Sequence, residues 1–218
     1  MELTNIEKDH WLFMTNIVKS LADTPYVLKG GTALMFGYEL DRFSEDLDFD
    51  STKKLNLETK INESLPLGFE VIDIKKPKDT DTVQRYKVHY KTPNGDRRLK
   101  IETSYRKKDI DTNDYSLIKD MQIYNIDFLL DNKISASHDG AKPRTTARDL
   151  YDIDFIVNNF KSVITPTFKT RLEEFIIDED ALYDRFEDAY NEDSLVNVKV
   201  KLDDLIIRLS KNINRLKK

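Results

Sequence analysis

Cysteine is absent from this 218-residue chain, which excludes disulfides and thiolate zinc sites and fits a reducing cytoplasm. Long apolar runs are absent too. None approaches the ~20 residues needed to span a bilayer, so no membrane partner is expected. The opening MELTNIEKDHW lacks a basic stretch followed by an apolar one, so no secretory signal is visible and a cytoplasmic location is expected. A positive balance is missing: the net charge is −5, which argues against a surface coated in positive potential. The histidines, His10, His89 and His138, lie far apart without metal-ligand spacing, so no histidine constellation supports a hydrolase. There is no Walker-type loop and no G-x-G-x-x-G, so kinase and dinucleotide readings have no support. Internal repeats and low-complexity tracts are also lacking.

What remains is a polar globular composition, 39% hydrophobic and 34% charged, sufficient for one large domain or two small ones. Residues 5–22 show a helical apolar pattern closed by Pro25. Tyr26–Lys29 reads as a short strand, 32–40 as a helix, 46–50 as a strand and 57–65 as a helix. The middle is β-like over 69–74, 85–91 and 97–105, and Asn94-Gly95 between the last two is a hairpin signal. From about residue 117 the pattern turns helical, with helices expected over 126–137, 145–159, 167–177, 180–190 and 194–216. The expectation is an α+β chain with a mixed β-sheet domain at 1–115 and a helical bundle at 116–218.

Residues 30–50, GGTALMFGYELDRFSEDLDFD, carry the most chemistry. Alternate strand residues point to opposite faces, so Leu47 and Phe49 can enter a core while Asp46 and Asp48 share the other face, where Asp50 can join them. Two carboxylates about 4 Å apart repel by roughly 4 kcal/mol at an effective dielectric near 20. Such a pair is kept where a cation neutralises it or a proton is shared. Gly30 and Gly31 let the backbone approach phosphate at a helix start, and Thr32 adds a hydroxyl and an N–H. Phosphate donors beside hard oxygen ligands for Mg²⁺, with Mn²⁺ as a substitute, point to phosphoryl or nucleotidyl transfer.

A two-metal site calls for a third acid. In RLKIETS, residues 98–104, Leu99, Ile101 and Thr103 share one face and Lys100, Glu102 and Ser104 the other. Glu102 could reach Asp46 and Asp48, bind metal and help activate an attacking hydroxyl; a cross-strand salt bridge is the equal alternative. Lys133 falls on the apolar stripe of Ile126, Leu129 and Leu130, where it either snorkels or reaches a triphosphate. On the next helix Asp149 and Asp152 are three apart and Arg148 and Asp152 four apart, spacings of surface neighbours. Basic clusters at Arg97, Arg98, Lys100, Arg106, Lys107 and Lys108, and at Lys211, Arg215, Lys217 and Lys218, read as solvated faces unless the first serves nucleic acid by bracketing Glu102.

Three segments, 27–50, 98–104 and 133–154, together resemble the AbiEii/AbiGii toxin family of nucleotidyltransferases in the DNA polymerase beta-like superfamily. The shared landmarks are a GG[ST] turn, R-x-S-x-D-x-D-F, a third strand acid, and a lysine followed by an RD-x-x-D helix. Arg42, Ser44, Asp46, Asp48, Phe49, Lys133, Arg148, Asp149 and Asp152 occupy those places. The resemblance implies a nucleotidyltransferase fold followed by a helical bundle, a nucleoside triphosphate donor with Mg²⁺, and a bacterial toxin–antitoxin or abortive-infection setting with a cognate antitoxin. Some relatives modify the tRNA 3′ end, so RNA is an acceptor to expect. It also implies that Gly30, Gly31, Thr32, Arg42, Ser44, Lys133, Arg148, Asp149 and Asp152 serve the nucleotide, while Asp46, Asp48 and Glu102 are catalytic metal ligands. Two rivals stand beside it: the same site acting on a small molecule or a protein, and a nucleotide-binding interaction module without turnover.

Overall fold

The computed structural model describes residues 1–216; Lys217 and Lys218 of the basic chain end lie outside the described residues. The chain divides into two compact units, Met1–Asn125 and Ile126–Lys218.

The first unit is built on one seven-stranded mixed sheet: β1 (Tyr26–Lys29), β2 (Leu47–Ser51), β3 (Glu70–Asp79), β4 (Val83–Thr92), β5 (Gly95–Ser104), β6 (Tyr115–Ile118) and β7 (Met121–Tyr124). Their spatial order is β3-β4-β5-β2-β1-β7-β6. Here β2 runs parallel to β5 and antiparallel to β1, and β1 runs parallel to β7. Its helices are α1 (Asn5–Ser20), α2 (Gly30–Tyr38) and α3 (Leu57–Glu63). A capping box between Thr4 and Glu7 starts α1. Its inward face, His10, Phe13, Met14, Ile17 and Val18, follows the 3.6-residue period. Phe13 meets Tyr90 edge-on at 4.7 Å between ring centroids. Along β4 and β5 burial alternates: Tyr86, Val88, Tyr90, Leu99, Ile101 and Thr103 are buried, and the residues between them lie on the other face.

The second unit packs α4 (Ile126–Ile134), α5 (Ala147–Asn159), α6 (Pro166–Phe175), α7 (Glu179–Glu192) and α8 (Leu202–Asn214). A π-helical stretch, Ser135–Asp139, continues α4 without a break. Leu150, Ile153, Val157, Leu172, Phe186, Leu205, Leu209 and Ile213 fill its core.

The structure departs from the sequence reading in three places. The sheet unit ends at 125 rather than 115, because β6 and β7 form a hairpin whose second strand joins β1. Lys119 and Asp120, both at positive φ, make that turn without the usual Asn or Gly, so nothing in the sequence marked it. Strand β3 runs on to Asp79 through Pro77, which an edge strand tolerates. Residues 194–201 are not helical: α7 stops at Glu192, Asp193 accepts from the Leu195 N–H, and α8 begins at Leu202.

Candidate active site

The site begins where β1 hands over to α2. Gly30 has φ +76, and a Cβ there would lie 3.4 Å from Asp48 Oδ2. At Gly31 a Cβ would lie 2.6 Å from the Arg42 guanidinium and 3.1 Å from Ser44 Oγ. Both positions need glycine, one for its backbone and one for space. No side chain caps the start of α2, so its first N–H groups lack the usual acceptor and carry the positive end of the helix dipole.

The loop from α2 to β2 is pinned from several sides. Thr32 donates its hydroxyl to the Asp46 carbonyl and accepts from the Ser44 hydroxyl, the latter at 2.8 Å. Arg42 is 2% exposed and donates to the Phe43 carbonyl at 3.2 Å. His10 donates from Nε2 to the Glu45 carbonyl at 2.8 Å, so its Nδ1 accepts from the Tyr90 hydroxyl. Burial drives the His10 pKa down to about 4, keeping the ring neutral and that tautomer fixed. These contacts set the backbone one residue before Asp46. In this structure Thr32, Arg42 and Ser44 are framework of the turn.

Beyond the loop, β2 presents the acids. Leu47 and Phe49 are buried, as alternation demands, and Asp46 and Asp48 occupy the other face. Asp50 turns to structure: its carboxylate holds Lys29 Nζ at 2.5 Å and accepts from the Tyr124 hydroxyl at 3.2 Å. The parallel register places Glu102 of β5 directly beside Asp48. Burial raises the Asp48 pKa; Lys100 opposes that, and the negative charges of Asp46 and Glu102 add to it. Lys100 Nζ sits 2.5 Å from Asp46 Oδ2. Arg85, opposite Glu102 on β4, contacts Glu102 Oε2 from both Nε at 2.6 Å and Nη2 at 2.5 Å. Glu102 therefore lies in register with Asp48 and is salt-bridged to Arg85, the second of its two sequence readings. Among the described residues no three His, Cys, Asp or Glu side chains converge as a ready metal cage. The donor set is nevertheless all carboxylate oxygen, suited to a hard divalent cation, and at Asp48 burial and like-charged neighbours outweigh Lys100 and Lys29. Lys100 belongs to the basic cluster read from the sequence, on the face of Glu102; Arg85 carries no sequence signal, and only the observed register sets it against Glu102.

In the second unit the expected nucleotide residues form a different arrangement. Lys133 is buried, neither snorkelling nor free, with its ammonium 2.6 Å from both Asp149 and Asp152. Arg144 reaches Asp149 Oδ2 at 3.0 Å and Thr146 donates to the same oxygen at 2.6 Å. Burial alone would raise the Asp149 pKa, but Lys133 and Arg144 overcome it and hold the carboxyl below its ordinary value. Asp152 is 0% exposed, so it is no surface neighbour of Arg148, which instead bonds Asp193 at 2.7 Å. The burial of Asp149 and Asp152 follows from Lys133, whose position on the apolar stripe of α4 required a buried counter-charge.

A sequence profile of the AbiEii toxin, a nucleotidyl transferase of type IV toxin–antitoxin systems, matches residues 12–212. This chain belongs to the AbiEii family. The AbiEii architecture recurs in solved structures from Helicobacter pylori. JHP933 is 38% identical with a TM-score of 0.94, over 99% of this chain and 93% of its own. A second H. pylori structure, described as a candidate nucleotidyltransferase, is 38% identical with a TM-score of 0.93, over 98% and 96% of the two chains. No curated protein sequence matches this chain. AbiEii membership makes the chain a nucleotidyltransferase enzyme and brings a nucleotide substrate and an antitoxin counterpart with it. No helix among the described residues is long and apolar enough to cross a membrane.

Proposed function

We propose that this AbiEii enzyme moves a nucleoside monophosphate from a nucleoside triphosphate to an acceptor hydroxyl, with Mg²⁺ or Mn²⁺ held by Asp46 and Asp48 and completed by Glu102. The observation that carries this reading is the contact of two sequence-distant features: the glycine turn at Gly30 lies against Asp48 Oδ2, so donor phosphate and carboxylates share one location. A bound divalent cation would polarise the α-phosphate and acidify the attacking hydroxyl.

The chain's own residues do the rest. The uncapped N–H groups at Gly30, Gly31 and Thr32 accept the triphosphate. Glu102 Oε2 is held by Arg85, which leaves Oε1, without a partner among the described residues, to take the acceptor's proton. The hydroxyl oxygen then attacks the α-phosphorus in line and pyrophosphate departs. Lys133, Asp149 and Asp152 brace α4 against α5 as a buried ionic cluster, with Arg144 and Thr146 satisfying the outer oxygen of Asp149. RNA is the acceptor that we favour for a toxin of this family.

Purified protein given Mg²⁺ and each labelled nucleoside triphosphate, with RNA, protein and small-molecule acceptors in separate reactions, tests the reading. We expect label on RNA, and its loss by at least about a thousandfold in Asp46→Ala, the scale at which removing an essential electrostatic group acts, with the thermal unfolding transition retained. Equal transfer by Asp46→Ala would refute the site, and label on a small molecule alone would refute the acceptor.

A further inference from the structure

The exposed face of β3, β4 and β5 carries a charge pattern that works against the sheet. Lys75 lies directly opposite Lys87, and Lys87 directly opposite Lys100. Like charges so placed destabilise a sheet. The row continues into the acids: Leu47 pairs with Ile101, which brings Asp46 alongside Lys100. In the next row Arg98 lies opposite His89. Two adjoining grooves, of about 470 and 650 Å³, run over these residues and share Asp46, His89 and Arg98. The first is lined by Lys75, Lys87, Arg98 and Lys100 against the carboxylates Asp46 and Asp73, a surplus of positive charge in a chain whose net charge is −5. Lys75 leans on Asp73 at 3.4 Å, while Lys87 and Arg98 make no ion pair among the described residues.

Strand order gives the row a direction. The glycine turn leaves from β1 on one side of β2, and the lysine row departs across β5, β4 and β3 on the other. A triphosphate seated at the turn leaves the row unused. We propose that the row Lys100–Lys87–Lys75, with Arg98, is the track on which the phosphodiester backbone of a polynucleotide acceptor docks, delivering its terminal hydroxyl to Asp46 and Asp48. The inference rests on the nucleotidyl-transfer reading and assigns the acceptor's place in it. Ammonium groups in sequence suit a chain of repeating phosphates, which lysine binds as a point charge. They lead to the acids where a hydroxyl must lose its proton, and a polynucleotide ends in such a hydroxyl.

Fluorescence anisotropy of the full chain with a fluorescein-labelled single-stranded RNA, across a salt series, tests the track. Calorimetry of Mg²⁺ with each nucleoside triphosphate runs in parallel, and melting curves check that each variant is folded. Wild type should bind RNA with a steep salt dependence. Lys87→Ala with Arg98→Ala should lower the log–log salt slope by about 1.4, at about 0.7 per phosphate on a single strand, and weaken binding about tenfold or more at low salt. Lys8→Ala with Lys53→Ala removes two exposed lysines away from the row and should leave both readings as in wild type. Unchanged RNA binding in the folded Lys87/Arg98 variant overturns the track, as does displacement of RNA by poly-glutamate charge for charge, which would mark an acidic-protein surface. Nucleotide association without any RNA binding overturns the track and leaves the transfer reading standing. RNA held by the row without association of any nucleoside triphosphate keeps the track and refutes the transfer reading.

Discussion

Asp48 and Glu102 stand side by side across the parallel strands β2 and β5, two carboxylates brought together by register from positions far apart in sequence. Their neighbours decide what each can do. Glu102 is salt-bridged to Arg85, whereas half-buried Asp48 shares Lys100 with Asp46 and its pKa stays raised.

Asp48→Asn should therefore stabilise the fold while abolishing transfer. A carboxyl whose pKa is raised in the folded state prefers its proton there. Ionised Asp48 costs the native state little below the ordinary aspartate pKa and most once pH has risen through the raised one. The variant's melting temperature should exceed wild type at pH 7 and converge with it as pH falls into the ordinary aspartate range. An equal melting temperature at both pH values would show that burial exerts no such penalty.

Lys100→Met should tighten divalent-cation binding by the apoprotein. Lys100 is the internal cation on Asp46, and any metal at that carboxylate has to displace it. Half-exposed ion pairs contribute up to about 1 kcal/mol, so the gain should be about threefold to fivefold. Isothermal titration with Mn²⁺ in the absence of nucleotide reads it directly; weaker binding would mean that Lys100 assists the metal.

Replacing Lys133 with Met should cost about 3–5 kcal/mol, the usual scale when one partner of a buried ion pair is removed. Asp149 and Asp152 would then confront each other without their cation. Denaturant unfolding at neutral pH measures the loss, and Lys133→Met combined with Asp149→Asn should recover part of it. A variant of normal stability that fails to bind nucleoside triphosphate would return Lys133 to the role that the family resemblance implies.

At Gly31, alanine should be tolerated poorly, by about 1–3 kcal/mol, the range for overpacking. The new methyl meets the Arg42 guanidinium, which is buried and bonded to the Phe43 carbonyl and so cannot swing aside. Calorimetry should show weaker triphosphate binding alongside the lower melting temperature. Full stability with full binding would separate the turn from the nucleotide.

Much of this was legible in sequence where two signals agreed. The burial of Leu47 and Phe49 followed from alternation, strand β1 was read as a short run entering the glycine turn, and the glycine turn and acid pair were recognisable because spacing and chemistry coincided. The electrostatics were not legible. In the hairpin, Pro93 and Asn94 form the loop and Gly95 already pairs with Thr92. A loop centred on Asn94-Gly95 would have set Arg85 against Ser104 instead of Glu102. Asp149 and Asp152 carry a helical spacing common to surface charges, and only the packing of α5 reveals that they are buried against Lys133 of the apolar stripe. Sequence spacing orders residues along an element; it does not say which counter-charge arrives from another.

The late hairpin of β6 and β7 has a practical corollary for anyone dissecting the enzyme. Because β7 flanks β1, a fragment cut at residue 115 would lay bare the backbone edge of the strand that feeds Gly30. Such a piece would offer that edge to other chains. A catalytic fragment worth expressing has to run to Asn125, where the sheet is complete.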